Sequence, residues 1–295
     1  MKVAAAAYPP SPLRDWSDFA AKADAWVAEA AGGGAELLVL PEYGAMELAH
    51  LDGPDVAADL EASLHAAARH ATRARDHWAG LARRHRVHIL SPSGPWDAGR
   101  GRPVNRAWLL GPDGIVGHQD KQVMTRFERE AWDLVSGDPL ATFRIGDLRV
   151  GVLICYDAEF PALGAASDAD LLLVPSCTDG VAGFTRVRVG ARARALEGQC
   201  IAVHSPTVGA CPWSPAIDEN RGRAAIYAPP DLGFPETGIL AQGDMDAPGW
   251  THAVVEPAAL RRVRTEGHVL NRAHAREAAR AAAASRDRPR HDPSG

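Results

Sequence analysis

The stretch Arg149-Val-Gly-Val-Leu-Ile-Cys-Tyr-Asp-Ala-Glu-Phe-Pro161 decides how the rest of this 295-residue chain is read. Val150, Val152, Leu153 and Ile154 form an apolar run without polar alternation, as expected of a strand covered on both faces. The run ends at Cys155, and Phe160-Pro161 with the alanine-rich segment after it starts a helix. A side chain at such a strand-to-helix turn is held rigidly and points into open space, which suits a nucleophile. The ordinary alternative is a buried structural thiol, because free cysteine is among the residue types most often found inside. Support for chemistry has to come from other parts of the chain.

Toward the N-terminus, Glu36-Leu-Leu-Val-Leu-Pro41 reads as a second covered strand, followed at once by Glu42-Tyr43-Gly44. A carboxylate just past a buried strand lies at the edge where layered α/β sheets carry chemistry. An ordinary loop acid is the competing reading of Glu42. Between these two stretches, Val104 to Leu110, the turn Gly111-Pro-Asp-Gly114 and Ile115 to Gln119 predict a hairpin that delivers Lys121 just beyond a strand end. Composition also singles Lys121 out. Of 32 lysines and arginines only Lys2, Lys22 and Lys121 are lysine, and arginine, unlike lysine, cannot give up a proton in a protein. Lys121 is either a chance remainder or a cation that arginine cannot replace.

Next come Thr125-Arg-Phe-Glu-Arg-Glu-Ala-Trp132, whose charges suggest a surface helix, and Ser136-Gly137-Asp138. Beyond Cys155, Asp170 to Val174 predicts a strand ending at Pro175-Ser-Cys-Thr-Asp179, which puts Cys177 and Thr178 on the rim of the same edge as substrate-contacting candidates. A helix is expected from Gly183 to Gln199, and the loop Val208 to Pro215 is expected to shape a pocket. The first strand, about Val3 to Ala7, is followed by a helix capped at Asp15 or Ser17.

A formal charge of -5, with no basic stripe interleaved with aromatics, argues against a nucleic-acid partner. No apolar run approaches the roughly 20 residues that a membrane span requires, so no membrane partner is expected. Cys155, Cys177, Cys200 and Cys211 show neither CxxC nor His/Cys spacing, which predicts no metal site and a reduced, cytoplasmic setting. His65, His70, His77 and His85 read as solvated helix-face residues. No linker divides the chain, so one domain is expected over residues 1–272, with a polar, partly disordered tail over 273–295.

With Glu42, Lys121 and Cys155 each placed after a strand, the sequence resembles the nitrilase superfamily of carbon-nitrogen hydrolases. Leu-Pro-Glu42-Tyr, Gly-His-Gln-Asp-Lys121 and Gly-Val-Leu-Ile-Cys155-Tyr-Asp-Ala-Glu-Phe-Pro carry the resemblance, in that order, along most of the chain. It implies a four-layer α-β-β-α sandwich, an α/β fold, that pairs into homodimers or higher homo-oligomers and uses no cofactor. It implies Glu42 as general base, Lys121 as oxyanion stabiliser and Cys155 as nucleophile, with the Tyr156 backbone N–H completing the oxyanion site. A second glutamate is implied ahead of Gly137: Glu130 matches best and Glu128 is the alternative. The implied activity is hydrolysis of a small amide or N-carbamoyl compound through a thioester. Nitrile hydrolysis and a non-catalytic scaffold are the rivals. Two departures bear on substrate. Tyr156-Asp157 replaces the Trp-Glu usual in the nitrile-cleaving branch, and Glu159 stands where amidase-like relatives often carry arginine.

Overall fold

Lys2-Val-Ala-Ala-Ala-Ala7 forms β1 (Lys2–Ala7), and both its faces are covered. Val3, Ala5 and Ala7 join a core shared with a second sheet, whereas Ala4, Ala6 and Tyr8 join one shared with helices. Period-two alternation sends successive side chains to opposite faces, so a strand between two layers is apolar throughout. The computed structural model describes residues 1–284.

The first sheet contains β1, β2 (Leu37–Val39), β3 (His88–Leu90), β4 (Gly94–Trp96), β5 (Val104–Gly111), β6 (Gly114–Asp120) and β15 (Gly249–Val254). Its order is β15-β1-β2-β3-β5-β4, with β6 paired to β5. The second contains β7 (Thr142–Ile145), β8 (Leu148–Val152), β9 (Leu171–Ser176), β10 (Ile201–Pro206), β13 (Ala225–Tyr227) and β14 (Ile239–Gln242), in the order β14-β13-β10-β9-β8-β7. A short ribbon pairs β11 (Gly209–Ala210) with β12 (Glu219–Asn220). In each sheet the centre is parallel, β1-β2-β3 in one and β8-β9-β10 in the other.

Helices α1 (Trp16–Gly32) and α3 (Leu60–His85) cover the first sheet with Phe19, Val27, Trp78 and Leu81. On the far side α5 (Pro161–Ser167) and α6 (Val181–Gly198) cover the second, Val187, Ala191 and Ala195 facing it. The result is the α-β-β-α sandwich that the sequence implies. Short helices α2 (Pro54–Ala57) and α4 (Arg126–Glu130) lie in connections, and α7 (Pro257–Glu266) and α8 (Asn271–Ala283) follow β15. Asp15 caps α1 by accepting from the backbone N–H groups of Ser17 and Asp18. No helix among the described residues is long and apolar enough to cross a membrane.

Two expectations shift. The apolar run into Cys155 is strand only to Val152, and Cys155–Glu159 forms a 3-10 turn before α5 begins at Pro161. The expected boundary at 272 falls inside α8. Its alanine, arginine and glutamate residues favour helix, and the Arg272 guanidinium fastens the start to the carbonyls of Ala169 (2.9 Å) and Asp168 (3.0 Å). The remainder of the expected disordered tail, 285–295, lies outside the described residues.

Candidate active site

Glu42 follows β2, Lys121 follows β6, Cys155 follows β8 and Cys177 follows β9. Strand β6 is antiparallel to β5, which is antiparallel to β3, so β6 runs with β2 and both end at one edge of the first sheet. The second sheet brings the ends of β8 and β9 to the same edge. All four side chains line one cavity of about 550 Å³.

Its floor is a buried charge cluster. Lys121 Nζ donates to Glu42 Oε1 (2.7 Å) and to both carboxylate oxygens of Glu128 (2.8 Å each). None of the three is more than 2% exposed. Asn105 Nδ2 donates to Glu42 Oε1 (3.0 Å) and the Cys177 backbone N–H to Glu42 Oε2 (3.0 Å), which fixes the plane of the carboxylate. Tyr43 donates its hydroxyl to Glu128. Burial pushes Glu42 up to about 7 even though Lys121 opposes the shift. The two carboxylates beside Lys121 hold it firmly protonated despite its burial.

Glu128, not Glu130, completes this cluster, which corrects the better-matching choice made from sequence. Glu128 is the third residue of α4, and Thr125 caps that helix. The Thr125 backbone N–H (2.7 Å) and hydroxyl (2.8 Å) both donate to Glu128 Oε2, while the Glu128 N–H bonds back to Thr125. This capping box turns Glu128 inward. Glu130, two residues on, projects from the other face and pairs with Arg126 at 2.8 Å in solvent. The pattern Thr125-x-x-Glu128 is the sequence signal that separates the two glutamates.

Cys155 has a φ of +52°, a left-handed conformation that non-glycine residues seldom adopt and that cores tolerate mainly at functional turns. The turn is clamped from two sides. Asp157 is buried and accepts the backbone N–H groups of Gln122 (3.0 Å) and Val123 (2.8 Å), tying the Cys155 turn to the lysine loop. Gly190 of α6 lies so close that a Cβ there would meet the Ala158 carbonyl at 2.6 Å. Burial, reinforced by the Glu42 charge, pushes the Cys155 thiol well above its usual value, and Sγ donates to the Cys177 carbonyl at 3.6 Å. The resting group is therefore a thiol.

Tyr156, Cys177 and Thr178 all line the cavity. The Cys177 thiol donates to Asn220 Oδ1 (3.2 Å) and the Thr178 hydroxyl to the Arg221 carbonyl (3.0 Å), so both also fasten the neighbouring loop. The loop after β10 contributes Pro215, Ala216 and Ile217 to the wall. Tyr43, Asn105 and Asp157 received no role from sequence, because nothing local marks a residue whose partner is 35 to 85 positions away.

Among the described residues one grouping, His118 with Asp120 and Asp138, has donor atoms close enough for a metal. Arg106 already occupies it, with its guanidinium on both Asp120 oxygens (2.6 and 2.8 Å) and 3.3 Å from Asp138. The grouping is an ion-pair network. It also depends on Gly137, where a Cβ would fall 2.1 Å from Asp120 Oδ2.

A sandwich of two sheets thus brings Glu42, Lys121 and Cys155 together at one edge, and comparison with known proteins places the chain in a family. Residues 2–230 match the family model described as carbon-nitrogen hydrolase, and the chain belongs to that family. A probable hydrolase, YhcX, of Bacillus subtilis is 33% identical over 192 residues, covering 64% of this chain and 37% of that protein. The omega-amidase NIT2-B of Xenopus laevis is 30% identical over 181 residues, covering 54% of this chain and 62% of that protein. The chain thus matches about a third and under two thirds of these relatives' lengths. Among solved structures, Saccharomyces cerevisiae Nit3, a nitrilase-superfamily member, superposes with a TM-score of 0.69 at 20% identity, covering 90% of this chain and 93% of that one. An amidase from Nesterenkonia sp. gives 0.66 at 22% identity, covering 90% and 94%. At these identities the structural likeness concerns the fold.

Proposed function

We propose that this chain hydrolyses the carbon-nitrogen bond of a small amide or N-carbamoyl compound through a Cys155 thioester. The observation that carries the proposal is the convergence of Cys155, Glu42 and Lys121 in one cavity, with Lys121 Nζ 2.7 Å from Glu42 Oε1 and burial pushing the Glu42 carboxyl up to about 7. A general base works best when its pKa lies near the operating pH. As Cys155 Sγ adds to the carbonyl carbon, its proton passes to Glu42 Oε. The developing oxyanion takes the Lys121 ammonium and the Tyr156 N–H as donors. The C–N bond then breaks, the nitrogen leaves with the proton from Glu42, and a thioester remains. Water gives a proton to Glu42 and adds to the thioester, and the departing sulfur is reprotonated. In this scheme Glu128 positions and charges Lys121, and the Asn105 and Cys177 N–H donors aim Glu42.

The nucleophile acts only as a free thiol, so the enzyme is proposed to work in a reducing, cytoplasmic setting. A homodimer is proposed as well, supported by Val189 and Leu196, two turns apart on α6 and both exposed. Ammonia release from purified protein, screened against small amides, N-carbamoyl amino acids and nitriles, tests the activity. Turnover of an amide or carbamoyl compound, lost in Cys155→Ala, is expected. Turnover of nitriles alone would transfer the proposal to nitrile hydrolysis, and no turnover with Cys155 reduced would leave a scaffold.

A further inference from the structure

The cations that line the cavity already face carboxylates. Lys121 is held by Glu42 and Glu128, Arg126 pairs with Glu130, and Arg186 lies 3.7 Å from Glu159. The acids are not matched in return. Asp179, Asp218 and Glu219 line the same cavity without an ion-pair partner among the described residues. Glu159 lies on the nucleophile's own 3-10 turn, one turn beyond Cys155, with 22% of its side chain exposed; among the described residues its ion-pair partner is Arg186, 64% exposed, and the Lys121 charge acts on it from the floor of the cavity. Partial burial raises the Glu159 carboxyl above its usual value, against the opposing charges of Arg186 and Lys121. Aromatic side chains complete the wall: Tyr156 and Phe127 also line the cavity.

We infer that the amide hydrolysed here carries a positive charge, an ammonium or guanidinium some atoms away from the scissile carbonyl, and that Glu159 is the residue that selects it. This rests on the hydrolase proposal above and adds the substrate's charge to it. An incoming carboxylate would meet no cation without a partner and several acids without one, and like charges forced together across a binding site cost affinity. An incoming cation meets three acids without a partner, can share Glu159 with a mostly solvated Arg186, and can lie over an aromatic face. The contact acts on part of the substrate remote from the reacting bond, so it changes which amide is committed to reaction and leaves the Cys155 chemistry as it stands.

A matched set separates the possibilities: 5-aminopentanamide, hexanamide and glutaramate share a chain length but carry a positive, a neutral and a negative end. We expect kcat/KM to fall in that order, by at least tenfold from first to last, with the gap narrowing at high salt. Glu159→Gln should shrink the cation-to-anion ratio severalfold, and Glu159→Arg should invert it. A residue with a merely structural role would lower all three rates together and leave the ratio alone, which would overturn the assignment of Glu159. Equal or faster turnover of glutaramate, with hexanamide hydrolysed normally, would overturn the charge preference and leave the amidase proposal standing. If no amide is turned over, calorimetric binding of the three compounds to the Cys155→Ala protein still decides. Preferential binding of 5-aminopentanamide would support the inference while the hydrolase proposal fails, and no preference or an anionic one would sink it.

Discussion

The floor and the rim of the cavity each pair a basic side chain with glutamate and obey different physics. On the floor Lys121 meets Glu42 and Glu128 out of water, whereas on the rim Arg126 meets Glu130 with side chains 87% and 61% exposed. The distances are alike, at 2.7 to 2.8 Å. An exposed pair exchanges one solvated arrangement for another and contributes little. A desolvated pair holds each charge in place because neither can be left alone, and removing one partner costs about 3–5 kcal/mol. Distance alone does not tell which ion pairs matter in this protein; burial does.

The sharpest way to break the contrast is Lys121→Arg. It keeps the charge but replaces a compact ammonium with a broad fork that has to fit between Glu42, Glu128 and the oxyanion. We expect kcat/KM on any amide turned over to fall by about 10²–10³, the usual value of an oxyanion donor, with the fold retained in a thermal melt. Retention of more than about a tenth of the activity, under 1.4 kcal/mol of transition-state stabilisation, would remove Lys121 from the mechanism.

Glu128→Gln against Glu130→Gln compares floor with rim directly, two residues apart on one short helix. The first should lower the melting temperature clearly and slow turnover at least tenfold, because Lys121 keeps only Glu42 as a countercharge and Thr125 loses its charged acceptor. The second should be indistinguishable from wild type in both measurements. Equal effects from the two would mean that burial does not set the difference.

A gentler test is pH. In the proposed mechanism Glu42 has to be ionised to accept the thiol proton, so kcat/KM should rise through a midpoint near its raised value of about 7. For stability the sign is opposite. Its folded value lies above the ordinary 4.5, so the folded state holds this proton more tightly, and the contribution present below about 4.5 is lost as pH rises toward 7. The melting temperature of wild type relative to Glu42→Gln should therefore fall between pH 5 and pH 8. A flat difference would mean that Glu42 is not protonated in the folded protein over that range.

Much of this was legible from local pattern. Apolar runs closed by Glu42 and Cys155, and a hairpin closed by Lys121, identified three strand ends, and one sheet edge collects such ends wherever the strands run parallel. Composition marked Lys121, because a chain that otherwise uses arginine had kept a lysine there. Even Glu128 was available in principle, through the capping box with Thr125. The choice of Glu130 failed because spacing along the chain ignores the helical turn that sends residues two apart to opposite faces.

What the sequence determined by itself was the run of strands and helices and the placing of Glu42, Lys121 and Cys155 just past strands, since each depends on residues within a few positions of one another; the layered class came with the family resemblance those motifs carry. Tertiary structure alone decided the rest: that Asn105 and the Cys177 N–H aim Glu42, that Asp157 ties the cysteine turn to the lysine loop, and that Cys155 rests protonated. These outcomes depend on desolvation and on partners from distant strands. Burial, which sets both the charge state of Glu42 and the worth of each ion pair, belongs to the packed assembly and to no single stretch of the chain.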